Sequence, residues 1–309
     1  MNALLRKVFL ALSRNHVLRQ RLPRLPFMRR AVGRFMPGET AEDALRAASA
    51  LGRTGIASEF TRLGENVTQP GEAAAVAEHY LDLFGRIRDA GLDGEISVKP
   101  TQLGLDIDEE ATFAHLDRLA TRAEETGSFL WLDMEDSTYV ERTLALYERL
   151  HATHARTGIC LQAYLRRTAA DLERLMPLGP AVRLVKGAYD EPTGVAVGSK
   201  REVDTSFVAL AVTALRAGRD GGLRLGLGTH DTALVEQIAG HAAAAGIARD
   251  AFEVQMLYGI RASEQRRLAA AGYRVRCLIA YGEAWYAWYM RRLAERPANV
   301  VFAIRQLLP

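Results

Sequence analysis

One regularity constrains the fold of this chain more than any other. Eight short runs rich in apolar and β-branched residues lie at 55–64, 95–103, 128–134, 158–164, 181–188, 223–229, 251–257 and 273–281. They alternate with amphipathic stretches of helical period such as 72–90, 109–126, 138–151, 203–218, 233–245, 263–271 and 285–295, and a further helical pattern at 40–52 precedes the first run. Strand starts recur every 20 to 45 residues, the length of a βα unit. Asp136-Ser137 and Asp231-Thr232 stand where helix N-caps belong, and Gly91, Gly127 and Gly272 where helices should stop. Eight strands and eight helices in about 250 residues predict an α/β fold of the (β/α)8, TIM-like kind. A doubly wound sheet has the same alternation, but no break between two domains is visible.

Length and composition agree with a globular enzyme or binding protein. Of 309 residues, 49% are hydrophobic and 25% charged, enough to build a sizeable core. The net charge of +3 is too small for a nucleic-acid binder driven by bulk charge. Cys160 and Cys277 cannot form a disulfide framework, which suits a reducing, cytoplasmic setting. No apolar run approaches the roughly 20 residues that a membrane-spanning helix needs.

The charge is unevenly placed. Residues 1–38 carry nine Lys or Arg and no acid, leaving 31 basic and 37 acidic residues, or −6, for the rest. We therefore divide the chain into a basic N-terminal helical arm, 1–38, and a barrel domain, 39–309. The arm can pack on the acidic body, lie peripherally on an anionic inner-membrane surface, or serve as a presequence.

Catalysis in (β/α)8 barrels takes place at the C-terminal ends of the strands. The strand-like runs here end in or near Glu65, Lys99, Asp133 and Glu135, Gln162 and Tyr164, Arg183 and Lys186, Thr229-His230-Asp231, Glu253 and Gln255, and Tyr281-Gly282-Glu283. A rim this crowded with mixed charge predicts an active site. Arg183, Lys186, Arg291 and Arg292 predict an anionic ligand, phosphate or carboxylate. Trp285, Trp288 and Arg292 share one helical face, either a lid over the barrel mouth or a packing stripe. No metal site is expected. His151 and His154 read as surface histidines, and His230 is the one histidine at a strand end. Gly226-Leu-Gly228 lacks the third glycine of a dinucleotide loop, because that position is Asp231.

Six stretches appear in a distinctive order: LDMED at 132–136, LQAY at 161–164, RLVKGAY at 183–189, THD at 229–231, FEVQ at 252–255 and RRLAER at 291–296. With KPTQLG at 99–104 and the basic start, they resemble the flavin-dependent proline dehydrogenases, in particular the short, single-function bacterial kind. The resemblance covers almost the whole chain. It implies a distorted barrel that holds FAD over the strand ends and moves a hydride from C5 of L-proline to the flavin. The product is 1-pyrroline-5-carboxylate, and the electrons pass to a quinone. It also implies roles for individual residues. Lys99, Arg291 and Arg292 would hold the substrate carboxylate, and Asp133 would fix that clamp. Arg183 would stand near the flavin's reactive nitrogen. Met134, Gln162, Lys186, Gly187, Ala188, Thr229 and His230 would hold FAD. Tyr189 and Leu257 would wall the pocket, and Glu65 would pair with Arg291 as a gate.

Two positions depart from the family pattern. The eighth strand usually reads Arg-x-Tyr-x-Pro-Tyr-Gly, but Leu278 replaces the tyrosine and Ala280 the proline. Trp288 replaces a second tyrosine three residues before Arg291. Both changes fall where the resemblance puts the substrate ring, so hydroxyproline or another substituted proline is an alternative to proline. A catalytically inactive barrel that only binds flavin or an amino acid is a further alternative.

Overall fold

The computed structural model describes residues 32–218, 222–286 and 288–290. Eight parallel strands close a barrel in sequence order, each paired with its neighbour and the last with the first. They are β1 (Ala57–Arg62), β2 (Gly94–Val98), β3 (Leu130–Leu132), β4 (Thr157–Gln162), β5 (Ala181–Val185), β6 (Arg224–Gly228), β7 (Phe252–Leu257) and β8 (Arg274–Tyr281). Eight helices are described: α1 (Ala41–Gly52), α2 (Pro70–Asp89), α3 (Glu109–Glu125), α4 (Val140–His151), α5 (Thr168–Leu175), α6 (Lys200–Gly218), α7 (Thr232–Ala244) and α8 (Ala262–Ala270). The predicted (β/α)8 barrel is thus present.

The strand boundaries are shorter than the sequence pattern suggested, for local reasons. The second run stops at Val98 because Pro100 has no N–H to give the ladder, and Pro100–Leu103 turn into a 3-10 helix instead. Strand β5 stops at Val185, two residues before Gly187 takes φ +115°. Helix α5, not anticipated from the sequence pattern, buries Thr168, Asp171, Leu172 and Leu175 at helical spacing, and two of these four are polar, which masks the apolar period. Asp136 does not cap α4; its Oδ1 accepts the Thr138 N–H at 3.0 Å in a turn, and the helix begins at Val140. Gly91, Gly127 and Gly272 do end their helices, in the left-handed region.

Most of the apolar core lies between the strands' outer faces and the helices, with Phe60, Ile96, Leu132, Ile159, Leu184, Leu227 and Val254 all buried. Helix α1 takes a place in this outer layer against β1 and β8. Thr40 and Asp43 cap its start reciprocally, and Ala44 and Ala48 let it approach closely. With that slot filled, the chain after β8 turns back over the C-terminal rim. Trp285, Tyr286, Trp288 and Tyr289 form a second apolar cluster with Leu63, Ala280 and residues Val32, Phe35 and Met36 at the end of the basic arm. Residues 1–31, including the rest of that arm, lie outside the described residues. Among the described residues, no helix is long and apolar enough to cross a membrane.

His154 is not a surface histidine. It is buried just after α4, with Nε2 3.0 Å from Asp117 and Nδ1 3.2 Å from Glu124, both on α3. Burial lowers its pKa, but the two carboxylates outweigh that and raise it above the ordinary histidine value. A raised folded pKa means stability that is complete below about pH 6.5 and lost as pH climbs through the folded value. We predict that His154→Gln lowers the melting temperature by a few degrees at about pH 6 and by much less at about pH 9. Thermal scans at the two pH values check this; an equal loss at both would contradict it.

Candidate active site

The strands place polar side chains inside the barrel through their period of two. Glu95, Ser97 and Lys99 continue one face of β2, Glu253, Gln255 and Leu257 one face of β7, and Arg276 and Leu278 one face of β8. Their contacts reach across the lumen rather than outward to helices. The result is an ionic core in two layers, where barrels of this class usually pack branched apolar side chains.

The lower layer closes the N-terminal end. Arg276 donates to Glu253 at 2.9 Å and lies 3.2 Å from Glu95, while Arg224 reaches Glu95 at 2.8 Å from the opposite side. Trp131 Nε1 donates to Glu95 at 2.6 Å. Glu253, read from sequence as part of the rim, belongs to this structural layer, because it stands near the start of β7 rather than its end.

The upper layer opens to the C-terminal mouth and is a chain of alternating charge. Arg183 on β5 crosses the lumen to Glu59 on β1, and its other guanidinium nitrogen meets Ser97 at 3.0 Å and Asp133 at 3.0 Å. The guanidinium lies 4.8 Å from the Trp131 ring. Asp133 in turn faces Lys99 at 3.6 Å, and Lys99 faces Glu65 at 4.0 Å. Burial opposes charge on both Lys99 and Asp133. The neighbouring carboxylates nonetheless hold Lys99 well above the usual lysine value, and Arg183 and Lys99 hold Asp133 below the usual carboxylate range. Both groups are therefore ionised at neutral pH. Lys99 retains 17% of its side-chain exposure, so a fixed positive charge faces the mouth.

Gly226 and Gly228 on β6 let their neighbours pack close: a Cβ on Gly228 would lie 2.7 Å from Val185, and one on Gly226 2.8 Å from Gln255. Gln162 ends β4 buried, with its Oε1 lacking a hydrogen-bond partner among the described residues. Gly187 is forced by both its φ of +115° and a Tyr164 ring 2.1 Å from where its Cβ would be. Lys186 leaves the strand end for two acids, Asp204 on α6 at 2.5 Å and Asp231 before α7 at 3.2 Å. Leu257 and Leu278 are register partners on β7 and β8, and Leu278 is also level with Glu59 on β1.

Of the residues singled out in sequence, Lys99, Asp133, Arg183 and Glu65 come together directly. Met134, Gln162, Gly187, Ala188, Tyr189, Thr229 and His230 all follow or end strands at the same mouth. Arg291 and Arg292, and hence the Glu65–Arg291 gate, lie outside the described residues. The sequence reading missed Glu59, Ser97 and Trp131. An acid or tryptophan in the inward phase of an otherwise apolar strand was the available signal.

A closed parallel barrel with ionised, convergent side chains at its C-terminal mouth defines a (β/α)8 enzyme-type site. Comparison with known proteins narrows the class. The family profile described as Proline dehydrogenase matches residues 44–305. "Proline dehydrogenase 1" of Bacillus subtilis subsp. natto is 37% identical over 305 residues, 99% of each chain. "Proline dehydrogenase" of Deinococcus radiodurans is 39% identical over 282 residues, 89% of each. The crystal structure of proline utilization A from Bdellovibrio bacteriovorus, inactivated by N-propargylglycine, superposes with a TM-score of 0.82 at 24% identity, covering 94% of this chain and 36% of that one. The chain belongs to the proline dehydrogenase family.

Proposed function

We propose that this protein is an FAD-dependent dehydrogenase that oxidises L-proline to 1-pyrroline-5-carboxylate. The observation that carries this reading is the ionised Lys99–Asp133–Arg183 chain at the mouth of a barrel whose relatives are proline dehydrogenases. FAD fits the residues present. The buried Gln162 Oε1, without a hydrogen-bond partner among the described residues at the strand ends, suits a donor at the edge of the cofactor's ring system. Met134, Gln162, Arg183, Lys186, Gly187, Ala188, Thr229 and His230 would hold the cofactor, which supplies the hydride acceptor when bound.

The chain's own residues do the positioning. Lys99 stays protonated and Asp133 ionised across the neutral range, so neither serves as a general base; they bind and orient. Lys99, with Arg291 and Arg292, presents positive charge to the substrate carboxylate. Asp133 holds Lys99 and Arg183 apart and fixes both, which keeps the substrate ring in the geometry hydride transfer needs. Arg183 presents positive charge where the transferred negative charge arrives. Reoxidation is by a quinone, and a peripheral membrane contact through the basic arm would bring the two together.

The direct test is colour. The purified protein should be yellow, bleach anaerobically on adding L-proline, and regain colour on adding a water-soluble quinone. A yellow protein that no cyclic amino acid bleaches would favour the binding-only alternative.

Arg291→Ala or Arg292→Ala should raise KM for the cyclic amino acid while FAD stays bound. Each arginine supplies a charge-assisted contact of roughly 1.5–3 kcal/mol, so the rise should be about 10- to 150-fold. Steady-state kinetics beside flavin content check this, and flavin loss with unchanged KM would contradict it.

Leu278 and Trp288 bear on which ring is preferred. Leucine in place of tyrosine removes an aromatic face and a hydroxyl beside Leu257, whereas tryptophan fills more space than tyrosine. A ring substituent can occupy the vacated side. We predict that Leu278→Tyr raises kcat/KM for L-proline and lowers it for hydroxyproline, by up to about 200-fold in the ratio. If the wild type already prefers L-proline over every substituted ring, and Leu278→Tyr only weakens it, the preference is set elsewhere.

A further inference from the structure

The ionic chain of the upper layer does not end at Arg183. It ends one residue deeper, on Glu59, a fully buried acid that takes no part in the binding steps above. The two ends of the chain differ. Asp133 spends both oxygens, one on Arg183 and one on Lys99. Glu59 spends one, Oε1 on Arg183; its Oε2 is buried with no hydrogen-bond partner among the described residues. An ionised Glu59 therefore carries charge on an oxygen that neither water nor a donor solvates, which is costly in a barrel interior.

We propose that Glu59 is the redox-linked proton site of this enzyme, taking up one proton at Oε2 when the cofactor above Arg183 receives its electrons. The inference rests on the reading that FAD binds at this mouth. A bound cofactor that accepted a hydride, two electrons with one proton, would become one unit more negative. A second proton, drawn from water, adds to the Glu59 carboxylate, forming an O–H bond and breaking none in the protein. With Glu59 ionised, Arg183 faces two carboxylates; with Glu59 neutral it faces only Asp133, which it shares with Lys99, and more of its charge is left for the reduced cofactor. Glu59 is thus a positioning residue that acts through Arg183 rather than on the substrate.

The surroundings leave Glu59 as the group that titrates. Arg183 on β5 does not lose its proton. Asp133 after β3 is held ionised by two cations. Glu95 on β2 is tied into the lower layer by Arg224, Arg276 and Trp131. Cys160 on β4 and Cys277 on β8 are buried thiols whose pKa values burial pushes up, to about 11 and about 12. Burial likewise raises Glu59 itself, against the pull of Arg183, and extra negative charge above Arg183 raises it further.

The experiment is an anaerobic potentiometric titration of the FAD-loaded protein between about pH 6 and about pH 9. One proton per two electrons gives a slope of about 30 mV per pH unit, and two protons about 60 mV. The wild type should reach the two-proton slope over part of the range, and Glu59→Gln should keep the one-proton slope throughout. Redox-difference infrared spectra should show a protonated-carboxyl band on reduction that Glu59→Gln lacks and Glu59→Asp shifts. A one-proton slope throughout in the wild type, or a band that survives Glu59→Gln, overturns the proposal. Should the glutamine variant not fold, the wild-type slope and the Glu59→Asp band shift decide. Failure of the underlying reading looks different: the protein would take up no FAD and show no flavin couple at all.

Discussion

The guanidinium of Arg183 spans the barrel from β5 to β1, and the arrangement of the mouth depends on that crossing. It ties Glu59, Ser97 and Asp133, on three other strands or strand ends, to one rigid planar group. Removing Arg183 would leave the Glu59 carboxylate buried without a cation, a far greater penalty than the net worth of the pair. The crossing also sets geometry. Asp133, held by Arg183 on one oxygen, offers its other to Lys99, and Lys99 is thereby pinned at the mouth with its charge outward. A flexible ammonium becomes a fixed one because of a contact made two residues away in the chain of charges.

Filling a barrel with ions instead of branched apolar side chains has a cost that must be met by pairing, and the two layers meet it differently. In the lower layer Arg224, Arg274 and Arg276 face Asp93, Glu95 and Glu253, three against three, with Trp131 and Ser58 adding hydrogen bonds. That layer is balanced, closed and structural. The upper layer keeps unpaired buried atoms on Glu59 and Gln162 among the described residues and opens to the mouth. Incomplete satisfaction is what distinguishes a layer that waits for a ligand from one that only supports the fold.

The alternation of strands and helices, the barrel and the rim residues Lys99, Asp133 and Arg183 were all legible in the sequence, because period and position along a strand are local properties. Glu59 was not. In Ala57–Arg62 it looks like one acid in a short half-polar strand, and only ring closure sets β1 opposite β5 and so gives it Arg183 as a partner. Glu253 was misplaced for the complementary reason. Its motif neighbour Gln255 lies higher in the barrel, and register, not sequence order, decides which layer a residue joins. His154 found its acids on α3, 30 and 37 residues back in the chain.

Helix α1 links this electrostatic design to the architecture. A strict (β/α)8 barrel sends its last helix down beside β8, but here α1 occupies the layer against β8 and β1. Trp285, Tyr286, Trp288, Tyr289 and Met290 then find another apolar surface, the rim around Leu63 and Ala280, together with Val32, Phe35 and Met36. Trp285 Nε1 donates to Glu39 at 2.9 Å, so the start of the barrel domain fastens the start of the last segment. The consequence is that aromatic bulk, Trp288 included, is brought to the open end of the barrel, above a charged layer that has no apolar cover of its own. The mouth thereby joins two kinds of surface: the fixed charge of Lys99, and the apolar side chains of Leu257, Leu278 and the aromatic cluster.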